Sequence, residues 1–377
     1  MFYLCKNREK EVNKKQHRIL IAPLDWGLGH LSRCMPIIHY LIAQGVRVYF
    51  AGNESQQSYL QSVIPDIDCL LLPGYEVRYA RKGYCFAPKL LAQLPRLSKR
   101  IRAEHSWLHS IVARYQIDAV ISDNRYGLYH PQIPCVLLTH QLQIQTGMGQ
   151  LGDRLLQKIH YRYVEKFSAC WLVDTAEAPG LSGVLAHPKH FPNIPTKYIG
   201  YLSQCASVPA DATQDKEASV LVLLSGPEPQ RTILAERIWR QVLQLKQSVV
   251  FVAGNEQVPI PSAVPSHITY HQRLSGDDLC KAIAQASIVI CRSGYSTIMD
   301  LTALAKRAIL IPTPGQTEQI FLANHLQDQG FYMMRLQEDF ELQEALAAAG
   351  TFPFVSHKAM PEFELYRSVL TDWLKTI

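Results

Sequence analysis

The run Ile288-Val289-Ile290-Cys291-Arg292-Ser293-Gly294-Tyr295-Ser296-Thr297-Ile298-Met299-Asp300 combines residue types that suit one chemistry. Four apolar residues enter a Ser-Gly turn, and a helix-compatible stretch then places a carboxylate seven residues beyond Ser293. Such a turn presents backbone N–H groups and the positive end of a helix dipole, and its small residues let an anion come close. That suits a diphosphate. Asp300 lies far enough along the helix to reach a pair of ribose hydroxyls, so the run reads as one half of a nucleotide-sugar site.

A second cluster lies near the start of the chain. Asp25-Trp26-Gly27-Leu28-Gly29-His30 follows an apolar run and opens a helical stretch near Leu31. Gly27 and Gly29 permit a tight turn and close substrate approach, although Ser32 at the third glycine position removes the dinucleotide fingerprint. His30 ends this loop, and His140 follows the strand-like Leu137-Leu138-Thr139. Either ring, neutral near pH 7, is able to take a hydroxyl proton as that hydroxyl attacks a carbon. For His140 a hydrogen bond to its own loop explains the residue equally well. Asp123, in Ser122-Asp123-Asn124-Arg125, is suited to orienting a histidine or to binding an acceptor hydroxyl, and Arg125 to meeting an anion. A structural salt bridge accounts for Asp123 and Arg125 almost as well. Ser225 and Gly226 form a third turn able to touch phosphate, but Pro227 and Pro229 withdraw two N–H donors there, which leaves Arg231 to supply positive charge.

These turns need strands and helices to hold them, and the apolar pattern supplies both. Candidate strands are Arg18–Ala22, Val46–Ala51, Asp68–Leu72, Asp118–Ser122, Cys135–Leu138 and Ala169–Val173. After the polar stretch Ser203–Ser219 they resume with Val220–Leu224, Ser248–Val252, Ile268–Tyr270, Ile288–Cys291 and Ala308–Ile311. Short apolar runs alternating with helical patterns indicate parallel βαβ units covered on both faces. The α/β class follows, with two doubly wound, Rossmann-like domains facing a central cleft. The divisions are a leader over 1–17, a first domain over 18–202, a linker over 203–219, a second domain over 220–360 and a terminal helix over 361–377. Strand ends and helix starts point into the crevice between such domains.

Arg292-Ser293-Gly294-x-x-Thr297-x-x-Asp300, followed by Ile309-Leu310-Ile311-Pro312-x-Pro314 and Gln319, resembles the C-terminal domain of family 28 glycosyltransferases. Asp300 stands where that family usually has Glu, and Leu322 replaces the Asn of its Gln-x-x-Asn-Ala. The resemblance implies a GT-B fold and inverting transfer from a UDP-sugar, with UDP-N-acetylglucosamine the leading donor. The acceptor stays unidentified, lipid-linked or of the cell envelope. It places Gly27, Gly29, Ser225, Gly226, Arg292, Ser293, Gly294, Tyr295, Ser296, Thr297, Asp300 and Gln319 around the donor, with Arg292 beside the departing diphosphate. His30 is then the leading base, because His140 has Gln141 where the family has an acidic neighbour. The terminal helix is expected, by resemblance, to cross back to the first domain. An epimerase of the same architecture and a non-catalytic nucleotide-sugar-binding partner stay open as alternatives.

Composition sets bounds on these readings. The 377 residues, 47% apolar, suffice for two cores, and the net charge of +6 with a pI near 8.7 fits an anionic substrate or membrane surface rather than nucleic acid. Much of the basic excess lies in Met1–Arg18 and between Arg78 and Arg114, where interleaved aromatics suit a peripheral membrane loop and, equally, a solvated basic helix preceded by a packed loop. Nine singly scattered cysteines suggest reduced thiols and a cytoplasmic location, at most peripheral to the inner face of a membrane. Met1–Lys15 lacks the apolar segment of a signal peptide. Asp66 and Asp68 read as structural, and His267 and His271 lack the companions of a zinc site. No metal and no cofactor are expected.

Overall fold

The computed structural model describes residues 16–75, 94–144, 149–208, 219–254, 261, 263–355 and 361–377. The leader before residue 16, the aromatic and basic loop over 76–93, and most of the linker, 209–218, lie outside the described residues.

Two parallel sheets organise the chain. The first contains β1 (Arg18–Pro23), β2 (Arg47–Gly52), β3 (Asp68–Leu71), β4 (Ala119–Asp123), β5 (Cys135–Thr139), β6 (Ala169–Leu172) and β7 (Thr196–Tyr198), in the order β3-β2-β1-β4-β5-β6-β7. The second contains β8 (Val220–Leu223), β9 (Val249–Val252), β10 (Ile268–His271), β11 (Ile288–Cys291), β12 (Ala308–Leu310) and β13 (Met333–Met334), ordered β10-β9-β8-β11-β12-β13. Central strands such as β4, β5 and β8 are buried along their whole length, as helices on both faces require.

The connections are helical: α1 (Gly29–Ala43), α2 (Glu54–Val63), α3 (Leu94–Tyr115), α4 (Gly149–Val164), α5 (Gln230–Val242), α6 (Gly276–Gln285), α7 (Tyr295–Ala303), α8 (Thr317–Asp328), α9 (Leu342–Thr351) and α10 (Leu365–Leu374). In each sheet the winding reverses between two neighbouring strands, β1 and β4 in the first and β8 and β11 in the second. Loops leaving those strands diverge and leave a crevice at their carboxyl ends. The glycine loop before His30 leaves β1, Asp123 ends β4, and the turns at Ser225 and Ser293 leave β8 and β11. All four chemically suggestive segments therefore reach the crevice.

The two domains are closely joined. Tyr59 in α2 donates to Gln204 at 3.3 Å and accepts from the Gly276 N–H at 3.1 Å, and the Tyr295 hydroxyl donates to the Val173 carbonyl at 2.8 Å. The terminal α10 packs on the first domain: Trp373 meets Trp171 edge-on at 5.1 Å, and Thr371 bonds the hydroxyl of Tyr40 on α1.

Two features depart from the sequence reading, and a third agrees with it. Strands β7 and β13 escape it because β7 is a polar three-residue strand and β13 spans only two residues, each at a sheet edge and pairing on one side only. Cys205 and Cys280 are disulfide-bonded with Cα atoms 5.3 Å apart, against the expectation of free thiols. The fold brings the segment after Leu202 onto α6, and a separation of 75 residues leaves no spacing motif to read. Asp68, weighed as a metal ligand and judged structural, is paired with Arg47 at 2.8 Å. Among the described residues no helix is long and apolar enough to cross a membrane.

Candidate active site

The crevice is a cavity of about 1160 Å³ lined from both domains. The starts of α1 and α7 meet in its lining, one from each domain. Gly27 sits at φ +83°, in the left-handed region that favours glycine, which turns the chain from β1 into α1. Gly29 starts that helix, and a Cβ there would lie 3.3 Å from the Ser296 hydroxyl oxygen. The Ser296 hydroxyl donates to the Gly29 carbonyl at 2.7 Å, tying the two loops together across the domains. Neither helix start has a side-chain cap, so each leads with first-turn N–H groups, those of Ser296 and Thr297 among them.

Behind Gly29 lies a chain of five hydrogen-bonded side chains. His30 Nδ1 is 2.9 Å from Asp123 Oδ2. Arg33, one turn along α1, grips the same carboxylate with Nε at 2.8 Å from Oδ2 and with Nη2 on Oδ1. The Arg33 guanidinium also lies 2.9 Å from His30 Nδ1 and, through Nη1, 3.0 Å from His140 Nδ1. His140 Nε2 in turn meets Glu318 Oε1 of the second domain at 3.0 Å. Burial would raise the Asp123 carboxyl, but the Arg33 and His30 charges outweigh it and hold the group at about 2. His30 is lowered below the usual histidine range, first by burial and then by Arg33, with Asp123 opposing.

This geometry separates the two histidines. A guanidinium only donates, so His140 Nδ1 must accept from Arg33 and its proton resides on Nε2, which donates to Glu318. The His140 ring also stacks on Tyr295 at 4.3 Å, 6° from parallel. Both nitrogens are occupied, leaving no lone pair for an incoming hydroxyl. His30 engages its partners through Nδ1 alone. Of those two partners only the Asp123 carboxylate can accept, so the His30 Nδ1–H donates to Asp123, the Arg33 contact is electrostatic, and Nε2 carries the lone pair.

On the second-domain side, Ser225, Gly226, Gly294, Ser296, Thr297, Asp300 and Gln319 line the cavity. Arg292 does not, and the expectation that it meets a diphosphate is corrected. Its guanidinium is buried and donates to the carbonyls of Gln230, Ile311 and Pro312 and to the Gln337 side chain, bracing the loops under the sheet edge. Three other residues placed around the donor have their side chains committed to the fold. The Ser293 hydroxyl donates to the Gln319 carbonyl, the Gln319 side chain accepts from the Thr313 N–H, and the buried Tyr295 reaches Val173. Arg231 lines the cavity, but Glu228 takes up its charge at 2.7 Å.

Asp300 is buried, accepts from the Ser203 hydroxyl at 2.6 Å, and is raised by burial from 3.8 to about 6. An acid raised on folding costs stability above its folded pKa and nothing below its unfolded one. Asp300→Asn is therefore expected to stabilise the ligand-free protein by about 2–3 kcal/mol at pH 8 and by little near pH 4. Urea unfolding of both proteins at the two pH values measures this, and equal shifts at both would refute it.

The first-domain end of the cavity is apolar. Leu97 and Ile101 from α3 face Leu156, Ile159 and Tyr163 from α4, above the Tyr126 hydroxyl and His160 Nε2, which are 3.0 Å apart. Burial takes His160 down to about 4, so it is neutral at physiological pH. Arg125, weighed as an anion contact, is structural: its buried guanidinium pairs with Glu104 and donates to the Pro73 carbonyl at 2.7 Å. Among the described residues no group of three or more His, Cys, Asp or Glu side chains is placed to hold a metal ion.

Sequence reasoning missed Arg33 and Glu318. Arg33 lies one turn after His30, a spacing that puts both on one helix face, and that was a usable signal. Glu318 had none, since its partner His140 lies 178 residues away.

Comparison with known proteins matches this architecture. Residues 241–356 match the model of the glycosyltransferase family 28 C-terminal domain. The UDP-N-acetylglucosamine–N-acetylmuramyl-(pentapeptide) pyrophosphoryl-undecaprenol N-acetylglucosamine transferase of Yersinia enterocolitica is 24% identical over 322 residues, covering 81% of this chain and 80% of its own. Among solved structures, the kitacinnamycin glycosyltransferase superposes with a TM-score of 0.65 at 15% identity, over 96% of this chain and 99% of that one. MurG of Acinetobacter baumannii superposes with a TM-score of 0.56 at 15% identity, over 96% and 100%. The fold shared with both is GT-B.

Proposed function

We propose, from the premise that this chain is a GT-B glycosyltransferase with a family 28 C-terminal domain, that it moves a hexose from a uridine diphosphate sugar to an acceptor with an apolar portion. N-Acetylglucosamine is the leading sugar, since the curated relative named above uses its UDP derivative. The observation that carries the reading is the meeting of the α1 and α7 starts at Gly29 and Ser296, with His30 immediately behind. A diphosphate bound along the turns at Ser225 and Gly294 would be stabilised by helix-end N–H groups. The sugar would then lie toward His30, with Asp300 and Gln319 along the donor side of the cavity.

In this reading the acceptor enters over the apolar wall formed by α3 and α4. On α4, Leu155 is 63% exposed beside Leu156 and Ile159, and Arg154, Lys158 and Arg162 are interleaved with them. Apolar side chains interleaved with cations suit an amphipathic acceptor presented at an anionic membrane surface. His30 Nε2 takes the proton of the acceptor hydroxyl as its oxygen attacks the anomeric carbon. The bond to the diphosphate oxygen breaks with its electron pair, and the nucleoside diphosphate leaves with inversion. No cofactor or metal has an assigned step. Water exclusion by the joined domains limits hydrolysis of the donor.

Competition binding with UDP, dTDP, GDP and ADP tests the donor assignment. UDP is expected to bind at least about tenfold more tightly than GDP, a difference of about 1.4 kcal/mol. Equal affinities would remove the uridine assignment and leave only a nucleotide-sugar site.

A further inference from the structure

Arg33 is buried in the first domain at the cavity lining, and the mechanism above gives it no contact with either substrate. Its surroundings define what it does. The ionised Asp123 lies 2.9 Å from His30 Nδ1. A carboxylate that close, left unbalanced, would favour the imidazolium and hold a proton on the ring into the neutral range. A protonated His30 has no lone pair for an acceptor hydroxyl. The two-point grip of Arg33 spreads the Asp123 charge over an ion pair while leaving Oδ2 able to accept from His30. The same guanidinium disfavours the positive charge of a doubly protonated His30 ring, because Nη2 lies 2.9 Å from that ring at Nδ1.

We propose that Arg33 is the positioning residue that keeps His30 unprotonated and that fixes the proton of His140 on Nε2, so that one histidine serves as base and the other does not. The inference rests on the reading of His30 as the base. The charged and titratable groups facing His30 are Asp123 at the end of β4, Arg33 and the thiol of Cys34 on α1, His140 after β5, and Glu318 on α8. The Cys34 thiol is pushed well up by burial and stays neutral. Glu318 is partnered by His140, whose two ring nitrogens face Arg33 on one side and Glu318 on the other. Arg33 is thus the group on which the balance at His30 turns. It sits at the centre of the five-residue chain and links the second domain, through His140, to the base.

The test is histidine titration followed by long-range proton–nitrogen spectra of nitrogen-15-labelled full-length protein, alongside the pH profile of turnover. In Arg33→Gln the His30 titration is expected to move up by about 1–2 pH units. The acid limb of turnover should move with it, lowering the rate at pH 6 by about tenfold or more and changing it little at pH 8.5. UDP affinity should not change. Arg33→Lys, which keeps the charge and loses the fork, should return most of the titration toward its original position and serves as the second variant if the glutamine protein does not fold. An unmoved His30 titration in a folded variant overturns the proposal. So does a loss of rate that is uniform across pH, which is what a merely structural role would give. The spectra do not depend on turnover. If His30 proved not to be the base, the titration would still shift while the rate profile did not follow it, separating failure of that reading from failure of this one.

Discussion

His30→Ala is expected to lower turnover by about 10²–10⁴-fold, the usual contribution of a positioned base and about 3–5 kcal/mol of transition-state stabilisation. The expected effect on UDP affinity is small, because the residues assigned to the donor lie mainly on the second domain. In the wild type the rate should rise with pH through an apparent pKa below the ordinary histidine value. The direction follows from burial and from Arg33, which both disfavour the imidazolium. That limb should be missing in the variant. A variant with near-native turnover would remove His30 as the base. His140 is a poor substitute, since Arg33 and Glu318 occupy both of its nitrogens. A variant that no longer bound UDP would make His30 a donor ligand instead.

Asp123→Asn is expected to damage both activity and folding. Asp123 is fully buried and shared by His30 and Arg33. Removing its charge strands the Arg33 guanidinium in the interior, a change that typically costs about 3–5 kcal/mol. The pH dependence has a definite sign. The folded carboxyl is held at about 2 against an ordinary 3.8. Its contribution is therefore complete above about pH 4 and is lost as pH falls toward 2. Denaturant unfolding at pH 7 should show the full gap between variant and wild type, and the gap should close in strong acid. Adding Arg33→Gln to Asp123→Asn should restore part of the stability, because both members of the pair are then gone. No recovery in the double variant would place the cost elsewhere. Turnover should stay low in both variants, since His30 has lost the partner that holds its Nδ1 proton.

The local signals in this chain identified strands and turns but did not reveal partners. Ile288–Cys291 and Val220–Leu224 read as buried strands because they are short, apolar and bounded by small or polar residues, and strands form over Ile288–Cys291 and Val220–Leu223. Gly27-Leu28-Gly29-His30 reads as a loop that opens a helix because only glycine suits such a turn, and Gly27 lies at positive φ. Arg292 illustrates where such reading stops. Its place after a strand and before a Ser-Gly turn is right for an anion ligand, yet its side chain turns into the domain and is consumed by three carbonyls and an amide. Nothing in the neighbouring residues records that direction.

What the sequence determined by itself was the two-domain parallel α/β plan, the four turns that end in the crevice and the presence of a histidine at the glycine loop. Each of these is encoded in contiguous residues through apolar periodicity and backbone preference. The tertiary structure alone decided the rest. It joined Cys205 to Cys280, hung Asp300 on Ser203, turned Arg125 and Arg292 inward, and assembled His30, Asp123, Arg33, His140 and Glu318 into one chain. Those partners lie up to 178 residues apart. Charges and hydrogen bonds act through distances of a few ångströms, so which histidine is free to act as a base depends on packing that no local pattern contains.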